Sequence, residues 1–159
     1  MKKRILIIGG YGNFGRFIST ALAREGNIQL IITGRSFEKA KKLALELKAA
    51  NEVEFAELDI SQDLETALSL HNPDIVIHTS GPFQNQGYHV AQTCIGLGCH
   101  YIDLADGREF VEGIEKLNEL AIEKNLLVIS GASSVPCLTS ALIDHYSVQF
   151  ETMETVEYG

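Results

Sequence analysis

Tryptophan is absent from this chain, proline occurs only three times, and its three cysteines include no Cys-x-x-Cys pair. That odd set, Cys94, Cys99 and Cys137, does not read as a disulfide framework and fits reduced thiols in a cytoplasmic protein. No run approaches the ~18 apolar residues of a membrane span. The basic start Lys2-Lys3-Arg4 meets only the brief apolar run Ile5–Ile8, too short for a secretory signal. Positive charge is scarce as well. Thirteen Lys and Arg stand against 21 Asp and Glu, and the formal charge of −8 argues against a nucleic-acid partner, which needs a basic face. No internal repeat and no Pro/Gly/Ser-rich linker interrupts the 159 residues.

What is present is 45% hydrophobic and 21% charged, enough for one domain with its own core and too little for two ordinary ones. Apolar runs of strand length alternate with segments of helical period. Strands are expected at 4–8, 28–33, 53–58, 74–78, 100–104 and 126–130. Helices are expected at 15–25 with Gly26 as C-cap, 37–50, 64–70, 88–97 with Gly98 as C-cap, 109–124 and 139–146. Near-continuous apolar strands separated by helices indicate an α/β fold with a mostly parallel, doubly wound sheet. Right-handed crossovers make 3-2-1-4-5-6 the natural strand order.

The motif that carries chemistry lies directly after the first strand. Gly10-Tyr11-Gly12-Asn13-Phe14-Gly15 fits G-x-G-x-x-G, and it opens a helix, which is the context the mechanism requires. Gly10 permits the tight turn, Gly12 clears space for a pyrophosphate, and Gly15 lets helix and strand pack closely. The free N–H groups of the first helical turn, at Asn13 and Phe14, then face phosphate oxygens at the positive end of the helix dipole. The expected ligand is a nicotinamide dinucleotide.

Which dinucleotide turns on the end of the second strand. An Asp or Glu about 20 residues past the glycines would accept from the ribose hydroxyls of NAD. This chain has Thr33-Gly34-Arg35-Ser36 there, with no carboxylate before Glu38. A guanidinium at Arg35 suits a 2′-phosphate and Ser36 can add a hydrogen bond, so the expectation is NADP(H). Asp59-Ile60, ending the third strand, is expected near the adenine, although Asp59 could equally be a cap or a solvated residue.

Three further stretches resemble the NADP-binding domain of the saccharopine dehydrogenase family. They are Ser80-Gly81-Pro82-Phe83, Tyr101-Ile102-Asp103-Leu104-Ala105-Asp106, and Gly131-Ala132-Ser133-Ser134-Val135-Pro136, with the Gly34-Arg35-Ser36 turn in keeping. The resemblance runs in order along nearly the whole chain. It implies a Rossmann fold, NADP(H) and hydride transfer, with Gly81 and Pro82 near the nicotinamide half. Phe83 is open between packing on that ring and plugging the edge of the core.

The resemblance also implies a second, substrate-binding domain. Residues 1–146 are read as the cofactor domain and 147–159 as the start of the second, because Glu154-Thr155-Val156-Glu157-Tyr158-Gly159 alternates like a strand. A truncated or isolated domain, with binding but no turnover, is the expectation, and a homodimer through the missing part is compatible with it. The family's Cys-Gly-Leu-Asp-Pro-Gly loop is altered here. Ala132 and Val135 replace the cysteine and the aspartate while Pro136 is kept, which puts saccharopine itself in doubt as substrate.

Catalytic residues are not legible. Asp103 stands at a plausible height for acid–base work, but a lone carboxylate is more often a loop anchor; Asp106 and Arg108 are weaker versions of the same case. Cys137 reads as a packed residue, and Cys94, Cys99 and His100 as fold residues rather than a metal site. His78, His89 and His145 look isolated, and His71 lies in a polar turn before Pro73. A short-chain dehydrogenase would need a tyrosine with a lysine four residues on, and no such pair exists. The leading expectation is an NADP(H)-dependent oxidoreductase domain acting with a small-molecule substrate. The alternative is an NADP(H) sensor without turnover.

Overall fold

A computed structural model of the chain describes residues 2–157. Six strands form one parallel sheet: β1 (Lys3–Ile8), β2 (Ile28–Gly34), β3 (Glu54–Glu57), β4 (Ile75–His78), β5 (His100–Asp103) and β6 (Val128–Ile129). Their order is β3-β2-β1-β4-β5-β6, as the alternation of elements predicts. The helices are α1 (Asn13–Leu22), α2 (Phe37–Glu46), α3 (Leu64–His71), α4 (His89–Leu97), α5 (Arg108–Gly113), α6 (Asn118–Glu123) and α7 (Thr139–Ser147).

Strand periodicity divides the core in two. On β1, Ile5 and Ile7 face one side and join Leu30, Ile32 and Ile77 under Ala40, Leu43 and Ala44 of α2. Leu6 and Ile8 face the other side with Ile31, Val76 and Tyr101, covered by α3 and α4 through Leu64, Leu68, Val90, Ala91, Cys94 and Ile95. A strand buried on both faces has no polar positions to spare, which is why β1 and β2 read as continuous apolar runs.

Local chemistry sets several boundaries. Ser36 caps α2, its hydroxyl accepting from the Lys39 amide, and Asp63 caps α3 through the Thr66 amide. Gly98 ends α4 in the left-handed conformation, as expected for a C-cap. Gly26 does not serve that role; α1 ends at Leu22 with Ala23 as its C-cap. α2 stops at Glu46, and the last strand keeps only two residues.

The single long helix expected at 109–124 is broken into α5, a 3₁₀ turn (Ile114–Leu117) and α6. The Tyr88 hydroxyl donates to the Phe110 carbonyl at 2.9 Å, taking up a helical acceptor at the break. A side chain at Gly113 would meet that hydroxyl at 2.3 Å. A tertiary contact therefore overrides the periodicity. Residues 152–157 carry no regular structure instead of the anticipated strand, and Tyr158 and Gly159 of that segment lie outside the described residues. Backbone that alternates in sequence still needs a neighbouring edge before it becomes a strand.

At the amino ends of the strands, Arg4 makes a two-pronged ion pair with Glu54 at 2.9 and 3.0 Å, and its amide donates to Asp74. The carboxyl ends are left for the site.

Candidate functional site

The turn after β1 is tied to the strand on either side. The amides of Gly9 and Gly10 both donate to the Thr33 carbonyl at 2.9 Å, joining the turn to β2. Thr79, just past β4, donates its hydroxyl to the carbonyls of Ile8 and Gly9 at 2.9 and 3.1 Å. Gly9 lies at φ +77°, a conformation that favours glycine, and a Cβ on it would press within 3.0 Å of Thr79 Oγ1. Gly15 is required for a different reason: its Cβ would fall 2.2 Å from the Gly9 carbonyl oxygen, so α1 can lie this close only without a side chain. α1 begins at Asn13 with Gly12 as N-cap and no side-chain cap, which leaves its first amides without an intrahelical partner.

A cleft of about 560 Å³ opens over the carboxyl ends of β1, β2, β3 and β4, at the point where the strand order reverses. Gly12, Arg35, Asp59, Ile60, Gly81 and Pro82 of the expected residues line it. Gly10, Asn13, Phe14, Gly15, Ser36 and Phe83 do not. Gly10 and Gly15 shape the turn from behind, and Asn13 and Phe14 stand on the first turn of α1 with exposed side chains. Phe83 plugs the edge of the core and does not line the cleft. It is buried, with its ring centroid 5.0 Å from that of His78 and 5.4 Å from that of Phe110.

Charge along the cleft is asymmetric. Arg35 is exposed and makes no hydrogen bond or close ion pair among the described residues. Asp59 accepts from the amide and the hydroxyl of Ser61 at 2.9 and 2.8 Å. Those bonds hold its carboxyl below the usual range, with a smaller contribution from the Arg35 charge. The residues fit an anionic dinucleotide: the bare backbone of Gly9 and Gly12 and the guanidinium of Arg35 share one opening, and the uncapped amides of α1 start directly after Gly12.

Several lining residues escaped the sequence reading. The Tyr11 hydroxyl accepts from the Ser36 amide at 2.9 Å, and the Tyr11 ring fills the space a Cβ on Gly34 would need, 2.6 Å away. This contact joins the glycine turn to the Arg35-Ser36 turn. Tyr11 occupies a variable position of G-x-G-x-x-G, so the motif gives no hint of it. Thr79, Ser80 and Gln86 also line the cleft. Ser80 stood in a recognised stretch, but only the fold gives it a partner.

Asp103 resolves to the anchor reading. It is completely buried, and its Oδ1 accepts from the Ala105 amide, the Ser130 hydroxyl and the Gly131 amide at 2.9 to 3.0 Å. Asp106 accepts from Gln84, and Arg108 pairs with Glu112 on the surface. Burial pushes the Cys94 and Cys99 thiols up, keeping them protonated. No cluster of three or more metal-ligating side chains occurs among the described residues. Nor is any helix among them long and apolar enough to cross a membrane.

The family model of the saccharopine dehydrogenase NADP-binding domain matches residues 5–134. The chain belongs to that family. It is an NADP-binding Rossmann domain, and the cleft above is the candidate place for its cofactor. A search of curated protein sequences gave no significant match. Among solved structures, Synechocystis sp. PCC 6803 biliverdin reductase, in complex with biliverdin and NADP+, is similar at 20% identity and a TM-score of 0.56, covering 80% of this chain and 37% of that one. Lactobacillus casei scyllo-inositol dehydrogenase with NAD(H) is 16% identical with a TM-score of 0.62, covering 93% and 42%. Thermus thermophilus WlbA dehydrogenase, in complex with NAD and UDP-GlcNAcA, is 16% identical with a TM-score of 0.63, covering 94% and 48%. At these identities the likeness shows the fold. This saccharopine dehydrogenase-family domain spans less than half the length of each of these proteins.

Proposed function

We propose that this domain is the cofactor-holding part of an NADP(H)-dependent oxidoreductase that moves a hydride to or from an imine, amino-acid or carbonyl substrate. The observation that carries the reading is the cleft at the strand-order reversal, with Arg35 where an NAD-type site would have a carboxylate. In the proposed arrangement the amides at the start of α1 and the bare backbone at Gly12 hold the pyrophosphate. Arg35 takes the 2′-phosphate, with Ser36 beside it, and Asp59 and Ile60 flank the adenine. Gly81 and Pro82 border the nicotinamide half. The bound cofactor would supply the hydride, and the substrate would be oriented by residues outside this domain.

The C-terminal segment supports a second domain or a partner copy there. α7 has no buried residue, and Leu142, Tyr146, Phe150, Met153 and Val156 line an open apolar cleft. Surfaces of that kind mark packing sites.

Titration calorimetry of Arg35→Ala tests the cofactor assignment. NADPH binding is expected to weaken ten- to a hundredfold, about the effect of one charge-assisted hydrogen bond, with NADH binding little changed. Equal losses for both cofactors would overturn it. One observation favours the second reading, a sensor without turnover: the carboxylate Asp103 is completely buried, with its Oδ1 taken by three donors, so it does not face the cleft as an acid or base. NADPH oxidation by the full-length protein with a panel of imino and carbonyl acids separates the two. Tight binding without turnover would favour the sensor.

A further inference from the structure

Beneath the cleft a chain of polar side chains runs into the core. Ser80 Oγ lies 2.9 Å from His78 Nε2, and His78 Nδ1 lies 3.2 Å from the Tyr101 hydroxyl. Asp103 stands beside that phenol, and its charge and hydrogen-bonding capacity add to burial in pushing the phenol's pKa up. His78, Tyr101 and Asp103 are each no more than 1% exposed. Only Ser80 reaches the cleft.

The direction of this chain follows from what each group can do. Asp103 Oδ1 already has three donors, whereas Oδ2 is buried and makes no hydrogen bond of standard length. The Tyr101 hydroxyl has Asp103 beside it as an acceptor, and its O–H is assigned toward that carboxylate. The Tyr101 oxygen is then an acceptor for a proton on His78 Nδ1. Burial, with a smaller contribution from His89, lowers the imidazole to about 4, so the ring is neutral and carries one proton only. Its Nε2 is therefore bare and accepts from the Ser80 hydroxyl. The loop around that serine is pinned as well, because Gln86 Nε2 donates to the carbonyls of Ser80 and Pro82 at 2.8 and 3.0 Å.

We infer that Ser80 is a fixed hydrogen-bond acceptor on the cleft wall, held by His78 as a positioning residue, and that it reads an N–H or O–H donor on the nicotinamide half of the dinucleotide. In the proposed placement the donor would be the carboxamide N–H₂ or a hydroxyl of the nicotinamide ribose, either of which would lie toward the end of β4. A serine activated as a nucleophile is the competing use of a Ser–His pair, but an imidazole this weakly basic is a poor proton acceptor. The inference rests on the proposed cofactor placement.

Three probes of decreasing length test it with Ser80→Ala: NADPH, 2′-phospho-ADP-ribose and 2′,5′-ADP. NADPH is expected to bind about threefold to tenfold more weakly, the share of one neutral hydrogen bond, with 2′,5′-ADP unchanged. A loss that persists with 2′-phospho-ADP-ribose assigns the ribose hydroxyl, and one confined to NADPH assigns the carboxamide. Unchanged NADPH binding, or an equal loss for all three probes, overturns the inference. Failure of the unmodified protein to bind 2′,5′-ADP would instead overturn the cofactor placement on which it stands.

His78→Phe is expected to show the same selective loss, and His78→Gln, which can still accept from Ser80, to recover part of it. A purely structural role would lower both variants alike. In the free protein, ¹⁵N NMR is expected to show the His78 proton on Nδ1; a proton on Nε2 would reverse the chain and overturn the acceptor role.

Discussion

The turn after β1 and the end of β4 border the same cleft, yet they are built from opposite materials. The first is backbone: Gly9, Gly10, Gly12 and Gly15 remove side chains so that α1, β2 and β4 can approach, and its exposed chemistry is amide N–H. The second is side chain: Ser80 is backed by His78, Tyr101 and Asp103, polar groups buried where an apolar core would be simpler to build. A backbone site tolerates little change because steric exclusion is absolute. A side-chain site depends on the protonation and direction of each group, so it yields to pH and to conservative substitution.

The contrast is broken most severely by Gly15→Ala. Its Cβ would meet the Gly9 carbonyl at 2.2 Å, and that oxygen is backbone, which cannot swing aside as a flexible side chain can. A loss of roughly 3 kcal/mol or more is expected in denaturant unfolding, together with loss of NADPH binding. A stable, binding-competent G15A protein would show that the turn has more room than its geometry implies.

At the end of β4 the matching test is pH. His78 is lowered from its ordinary 6.5 to about 4 by burial, so between those values the unfolded chain holds a proton that the folded one refuses. Stability from this residue is complete above about pH 6.5 and falls as the pH drops toward 4. The total is about 3 kcal/mol from the linkage relation. His78→Gln should flatten that part of the stability–pH curve, as read by urea unfolding at stepped pH. Parallel curves for the two proteins would count against a neutral buried imidazole.

Smaller effects sharpen the comparison. Tyr11→Phe removes the acceptor of the Ser36 amide and should lower stability by about 1 kcal/mol. If the Tyr11 contact also fixes the Arg35 turn, Y11F will weaken NADPH more than NADH in calorimetry. Tyr88→Phe frees the Phe110 carbonyl and is expected to cost no more than about 1 kcal/mol in thermal unfolding. Hydrogen exchange around Gly113 then reports whether the helix break persists without that bond.

Much of this could be read before any coordinates. Strand order follows from continuous apolar runs alternating with amphipathic helices, because a strand buried on both faces and a helix buried on one leave different periods. The glycine fingerprint was readable because its requirement is local: a turn, a helix start and the absence of Cβ atoms. Arg35 was readable for the same reason, being a fixed distance along the chain from the glycines. The histidines were not. His78 looks isolated because Tyr101 belongs to the neighbouring strand, 23 positions away, and no local pattern marks their pairing. Phe83 could not be placed for a like reason, since Phe110 lies beyond two further elements.

What the sequence determined by itself is therefore the sheet, its order, the glycine turn and the position of Arg35 at the end of β2. Each depends on pattern and spacing along the chain rather than on contacts between distant residues. Only the tertiary structure decided that Asp103 is an anchor, that Phe83 is core, that 109–124 breaks at Gly113, and that Ser80 stands at the end of a buried polar chain. Those outcomes depend on which groups are left needing a partner after the strands pair. That is settled by hydrogen-bond satisfaction across the fold, which has no signature along the chain.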